Sequence, residues 1–245
     1  MKKGILLIII LLFFIGIRSK ESKALKYQFI QKASDRKEIK KMLTKMKGKV
    51  TIFLFTKKNE CQYCDLTKQI IREVKSLNSK IRYKFYDIKK NKSIARKYGI
   101  KLAPGIIMLD GKKRDYGVRF FGVPAGYEFY SFLEAIKLIS TGNNDISSIN
   151  KKKIKRIKKK IRIEVFVTPT CPYCPRAVVT AHKIAALNKN ITGSMIEAQE
   201  FYDLAMKNNV SGVPKIVVRS SKKKIEFVGA LPEDQFVEKV LSVLE

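Results

Sequence analysis

Apolar positions along this chain alternate between helical and strand spacing. Ile39, Leu43 and Met46 recur at helical intervals within 35–46 and predict a helix. Residues 50–56, Val-Thr-Ile-Phe-Leu-Phe-Thr, form a nearly continuous β-branched and aromatic run, the pattern of a strand covered on both faces. Leu66, Ile70, Val74 and Leu77 then predict a helix starting at Cys64. A strand at 81–87, a short helix at 93–98 and a strand at 105–109 follow. A hairpin turn at Asp110-Gly111, a return strand at 117–121 and a helix at 127–139 complete the series. The order is βαβαββα behind a leading helix.

The second half repeats that order. Its predicted elements are a helix at 150–159, strands at 161–167 and near Met195, and helices running to Leu187 and over 201–208. Strands at 215–219 and 224–228 and a helix at 234–244 finish the series. Between the halves, Thr141-Gly142-Asn143-Asn144-Asp145 has the polar, turn-rich composition of a linker. The expected domains are therefore 25–140 and 141–245. Each is long enough to bury its own core.

The apolar fraction of 45% beside 30% charged residues is that of a folded chain, which excludes disorder as the default. Before the first predicted helix, Met1-Lys2-Lys3 leads an apolar run from Gly4 to Ile17, followed by polar residues. The run suits the hydrophobic region of a signal peptide better than a full span, which needs about 20 residues, so 1–24 reads as a signal peptide or membrane anchor. Membrane contact through residues 4–17 follows if the segment is not cleaved. The expected location is anchored or exported, with a cytoplasm-facing body as the alternative, because lysines and an arginine follow the run.

The net charge of +31 favours anionic surfaces in general, but no nucleic-acid module pattern accompanies it, and no specific nucleic-acid partner is expected. In the lysine-rich stretch 151–160 the apolar positions are Ile154 and Ile157, which with Ile161 can seat one edge of a solvated helix.

All four cysteines fall in two Cys-x-x-Cys motifs, Cys61-Gln62-Tyr63-Cys64 and Cys171-Pro172-Tyr173-Cys174. Pro104 follows Cys61 by 43 positions, and Pro214 follows Cys171 by the same interval. Each motif stands between a predicted strand and helix. That placement sets the first sulfur at a helix N-terminus, where unpaired N–H groups and the helix dipole stabilise a thiolate. Cys61 and Cys171 are thus the candidate nucleophiles. Cys64 and Cys174, with two residues intervening, lie within reach to resolve a mixed disulfide. Paired CxxC motifs also occur in structural zinc sites, but here a whole repeated fold separates them and neither lies in a knuckle, so no metal site is expected. Structural disulfides are a further alternative, although a two-residue loop constrains the unfolded chain little.

Each half resembles the thioredoxin fold, and the whole resembles the two-module protein disulfide oxidoreductases, also called glutaredoxin-like, of archaea and thermophilic bacteria. The resemblance is carried by Cys61-Gln62-Tyr63-Cys64-Asp65, by the stretch from Gly117 to Gly126, by Phe166 to Pro175, and by Val213-Pro214-Lys215. It implies an α/β fold of two tandem thioredoxin-like domains, each a central mixed sheet flanked by helices. It also implies cis bonds before Pro104 and Pro214. The loops containing Ala103-Pro104 and Val213-Pro214 would then lie against the cysteines and pair with an extended client segment. Tyr63 and Tyr173 are expected to cap the sulfurs or pack beside them, with core packing as the alternative.

The expected activity is protein thiol-disulfide exchange, as reductase, oxidase or isomerase, with no cofactor beyond the redox-active disulfides. Client proteins with thiols or disulfides are the expected partners, together with a thioredoxin-reductase-type flavoenzyme. The rival readings are a non-catalytic, membrane-tethered binding scaffold and a zinc-binding protein. The two sites are expected to differ. Glu60 sets a carboxylate beside Cys61 where Thr170 is neutral beside Cys171, and although Lys57 and Lys58 offset part of that charge, Cys171 is expected to be the more reactive thiol. Pro172 and Pro175 suit the first turn of the second helix. His182, two turns past Cys174, is too far along its helix for direct proton transfer and reads as a packing or surface residue.

Overall fold

The protein is described by a computed structural model, which covers residues 29–245; the apolar run at 4–17 and the rest of 1–28 lie outside the described residues. The first half runs α1 (Ala33–Thr44), β1 (Val50–Thr56), α2 (Cys64–Leu77), β2 (Ile81–Asp87), α3 (Lys92–Lys97), β3 (Gly105–Asp110), β4 (Asp115–Phe121) and α4 (Glu128–Thr141). The second runs α5 (Ser148–Lys155), β5 (Ile161–Val167), α6 (Cys174–Ala186), β6 (Ile191–Glu197), α7 (Tyr202–Lys207), β7 (Lys215–Arg219), β8 (Lys224–Val228) and α8 (Glu233–Leu241), with a closing 3₁₀ turn at Ser242–Leu244. The βαβαββα order behind a leading helix is present twice.

Within each half the sheet is mixed. β1 pairs parallel with β2 and antiparallel with β3, which pairs antiparallel with β4; β5, β6, β7 and β8 repeat the scheme. The halves are not separate sheets. β4 pairs parallel with β6, Val118 opposite Gly193 through Phe121 opposite Ile196, giving one eight-stranded sheet in the order β2-β1-β3-β4-β6-β5-β7-β8. Joining the two exposed edges satisfies both rows of unpaired backbone groups.

Gly117 admits the close approach of β6 at that seam, and Gly193 that of α6 on the sheet face. A Cβ on Gly117, which has φ +72°, would lie 2.3 Å from the Ile191 carbonyl oxygen, and one on Gly193 would lie 2.6 Å from that of Ala181. Only glycine combines the positive φ of position 117 with that contact without strain.

One large core, including Ile52, Leu54, Ile70, Phe120, Phe132, Val165, Ala181 and Phe236, covers one sheet face continuously across both halves. Smaller clusters lie around Phe55 with Ala95 of α3 and around Phe166 with Ala205 of α7, so β1 and β5 are covered on both faces as their composition predicts.

Three local expectations are corrected. The β3–β4 connection is not a two-residue turn at Asp110-Gly111. It is a longer loop in which Lys113 takes φ +61°, and the Asp110 carboxylate accepts the N–H groups of Lys112 and Arg114 at 2.9 Å. The lysine-rich helix starts earlier, capped by Ser147, and ends at Lys155, beyond which Ile157 turns into the core. The last helix ends at Leu241 and tightens into the 3₁₀ turn. Among the described residues no helix is long and apolar enough to cross a membrane.

Candidate active site

Both CxxC motifs occupy strand-to-helix junctions: β1 leads to Cys61 and α2 begins at Cys64, while β5 leads to Cys171 and α6 begins at Cys174. Cys61 is bonded to Cys64 and Cys171 to Cys174, each pair with Cα atoms 5.5 Å apart. Cys64 and Cys174 are buried, Cys171 is 7% exposed and Cys61 is only half-buried. The Cys174 N–H donates to Cys171 Sγ at 3.1 Å, showing how the helix N-terminus serves the leading sulfur. Among the described residues no group of three or more His, Cys, Asp or Glu side chains converges as a metal site.

The peptide bonds Ala103-Pro104 and Val213-Pro214 are both cis. Strand register places them. Gly105 lies opposite Phe55 and Lys215 opposite Phe166, so each proline sits at the strand end from which its CxxC follows. The carbonyls of Pro104 and Pro214 accept the N–H groups of Gly122 and Gly229, both at 2.9 Å, while Ala103 and Val213 remain half-buried. The tyrosines diverge. Tyr63 packs against the main core, whereas Tyr173 stands 72% exposed over the second site.

The charge beside Cys61 differs from what Glu60 alone implies. That carboxylate is held by both Lys57 and Lys89, whose hydrogen bonds keep its pKa below the ordinary carboxylate range. Lys89 follows the far end of β2, brought alongside by the β1–β2 pairing. Two ammonium groups against one carboxylate leave the neighbourhood of Cys61 net positive, which favours its thiolate. The second site serves its leading sulfur through the Cys174 N–H rather than through charge. Pro175 in the first turn of α6 lacks an N–H, and Thr170 is neutral. Charge and exposure favour Cys61 while the N–H bond favours Cys171, so the expected ranking is decided by labelling the reduced protein.

Three titratable groups withdrawn from solvent lie where the halves meet. Glu128, 1% exposed, opens α4; its Oε2 accepts from Ser131 Oγ at 2.5 Å, and Oε1 has no partner among the described residues. Burial raises its pKa to about 7, against the lowering effect of Ser131. The start of α4 packs on the loop before Cys171: the Tyr127 N–H donates to the Pro169 carbonyl at 3.0 Å, and a Cβ on Gly126 would meet that oxygen at 2.2 Å.

Glu200, after β6, is raised to about 7 by burial and by the repulsion of Glu197, against the bond its Oε1 accepts from Val123 N–H. His182 is a packing residue, 1% exposed and edge-on to Phe120. Its Nε2 lies 3.1 Å from the Arg119 carbonyl, which can only accept, so the proton is on Nε2. Burial lowers its pKa to about 4. None of the three carries a local sequence signal; His182 and Glu200 meet their partners across the modules.

Comparison with known proteins agrees with this architecture. The thioredoxin domain family matches residues 48–134 and again 161–242. The alkyl hydroperoxide reductase AhpF of Staphylococcus aureus is 30% identical over 106 residues, 43% of this chain; the chain spans about a fifth, 20%, of that relative's length. A protein disulfide oxidoreductase from Aeropyrum pernix superposes with a TM-score of 0.76 at 27% identity, covering 85% of this chain and 91% of that one. A structure of AhpF from Enterococcus faecalis gives a TM-score of 0.80 at 23% identity, over 86% of this chain and 99% of that chain, a likeness of fold.

Proposed function

Because the chain belongs to the thioredoxin domain family in both of its halves, we propose that it is a protein thiol-disulfide oxidoreductase working through Cys61–Cys64 and Cys171–Cys174. The observation that carries this reading is the duplicated junction. Each cysteine pair closes at the head of a helix, with a cis-proline loop at the same strand end. The likeness to the Aeropyrum pernix protein disulfide oxidoreductase supports it.

The exchange balances without a further cofactor. In the reducing direction the leading thiolate, Cys61 or Cys171, attacks one sulfur of a client disulfide, forming a mixed disulfide and expelling the other client sulfur as a thiolate. Cys64 or Cys174 loses its proton and attacks the leading sulfur. The pair leaves as a disulfide and the client as a dithiol; two electrons have passed to the client, and its thiolates take up the two protons. Oxidation runs the same steps backward. Clients are proteins with thiols or disulfides, and a thioredoxin-reductase-type flavoenzyme is the electron donor that suits the reducing direction.

Turnover of an insulin-type interchain disulfide by the reduced full chain tests the function. Activity lost on replacing Cys61 and Cys171 by serine supports the enzyme. Client handling unchanged by those replacements supports a binding scaffold, and stoichiometric zinc in the purified protein supports the metal reading.

A further inference from the structure

Beside the second cysteine pair lies an open groove of about 480 Å³ between α4 and α6, lined by Tyr127, Tyr130, Pro172, Pro175, Arg176 and Glu233 among others. It runs up to the redox centre, because Pro172 follows Cys171 directly and Pro175 follows Cys174. Tyr127 and Tyr130 are each 53% exposed. With Tyr173 they place three of the largest exposed apolar side chains around one site, and a tyrosine offers a rigid apolar face with a polar tip, the usual anchor of a protein contact.

The charges in the groove are unevenly paired. Lys183 is bonded to Asp145 at 2.6 Å, and the Glu233 carboxylate accepts from Ser147 N–H and Asn150 Nδ2, both at 2.9 Å. Arg176 is exposed and has no ion pair among the described residues. Glu233 keeps its negative charge but its carboxylate is satisfied by those donors, so the charged group left without a partner among the described residues is the Arg176 guanidinium, within one turn of the redox pair.

The first module has no such lining. At the place of Arg176 it carries Leu66, packed on the core, and at the place of Pro175 it carries Asp65, paired with Lys68 at 2.8 Å. Tyr130 lies on α4 and Tyr127 directly precedes it, the last helix of the first module, so the groove exists because that module docks against the second.

We propose that this groove is a docking subsite for the protein partners of the Cys171–Cys174 pair, and that it selects an extended segment with acidic side chains flanking the reacting cysteine. The partner's backbone and apolar side chains lie across Tyr127 and Tyr130, and a carboxylate pairs with Arg176. This rests on the oxidoreductase reading and adds to it which clients the second site prefers. A planar guanidinium pairs with a carboxylate in two parallel hydrogen bonds, which makes Arg176 a stronger discriminator than a lysine.

The test uses the full chain with Cys61, Cys64 and Cys174 replaced by serine, so that Cys171 is the only thiol. Two peptides with a central cysteine joined to a thionitrobenzoate chromophore, one flanked by glutamates and one by lysines, report the rate of mixed-disulfide formation. The ratio of the two rates cancels any change in the reactivity of Cys171 itself. The expected result is a glutamate preference that Arg176→Glu lowers about tenfold. Lys158→Glu, the same charge change before β5 and so at the opposite end of that strand, moves the ratio far less. Tyr127→Ala with Tyr130→Ala slows both peptides.

If Arg176→Glu moves the ratio no more than Lys158→Glu, or if the tyrosine pair leaves both rates unchanged, the docking inference is overturned while the oxidoreductase reading stands. If Cys171 forms a mixed disulfide with neither peptide, both fall.

Discussion

Glu200 of the second module accepts the backbone N–H of Val123 of the first at 2.5 Å, across the seam where β4 meets β6. Val123 directly follows Gly122, the residue that donates to the Pro104 carbonyl. The bond therefore links the second module to the cis-proline loop of the first.

Glu200→Ala leaves the Val123 N–H without its acceptor and should cost about 1 to 3 kcal/mol in urea unfolding. Glu200→Gln keeps an oxygen acceptor and removes the ionisation. Because burial raises the folded-state pKa from 4.5 to about 7, this group's contribution is full below about pH 4.5 and is lost as pH rises toward 7. Glu200→Gln should therefore gain on the wild type in Tm between pH 5 and pH 8; a constant difference across that range would contradict the assignment.

Glu128 follows the same sign. Its carboxyl is raised from 4.5 to about 7 by near-complete burial, so its ionisation disfavours the fold above that range by roughly 3 kcal/mol as an upper bound. Glu128→Gln should stabilise the protein at pH 8 relative to pH 5. The gain is read as the difference in Tm between variant and wild type at each pH.

Gly117→Ala tests the shared sheet. The added Cβ meets the Ile191 carbonyl oxygen at 2.3 Å in a residue with φ +72°, so strain and overpacking add to about 2 to 4 kcal/mol. Gly99→Ala is the control. Its φ is +67° but nothing lies within 4 Å of the added atom, and it should cost about 1 kcal/mol in the same denaturation experiment.

Cys61 should alkylate faster than Cys171 in the reduced protein near neutral pH, because Lys57 and Lys89 neutralise Glu60 and Cys61 is the more exposed. Lys89→Gln should slow Cys61 and leave Cys171 unaffected. Peptide mapping of the alkylated protein reads both rates at once, and faster labelling of Cys171 would uphold the ranking that the local sequence favours.

Most of the element order was legible because each strand and helix writes its periodicity locally, as in the continuous run of β1 and the Leu66, Ile70, Val74 spacing of α2. The cysteine pairs and their prolines were legible for the same reason: a fixed interval in a repeated fold. What the sequence hid lies in long-range partners. Lys89 reaches Glu60 through a parallel strand pair, and that changes the sign of the charge argument at Cys61. The β4–β6 pairing joins two edges whose composition does not name each other. Glu200 and His182 find their partners, Val123 N–H and the Arg119 carbonyl, only through that union.

The central claim, catalysis by two leading thiolates, is tested most directly by trapping. Cys64→Ser and Cys174→Ser each remove a resolving thiol, so a disulfide-containing client should accumulate as a covalent mixed disulfide on Cys61 in the first variant and on Cys171 in the second, released by dithiothreitol. Mass spectrometry that finds both adducts bears out the account; no adduct at either cysteine, with the fold intact, contradicts it.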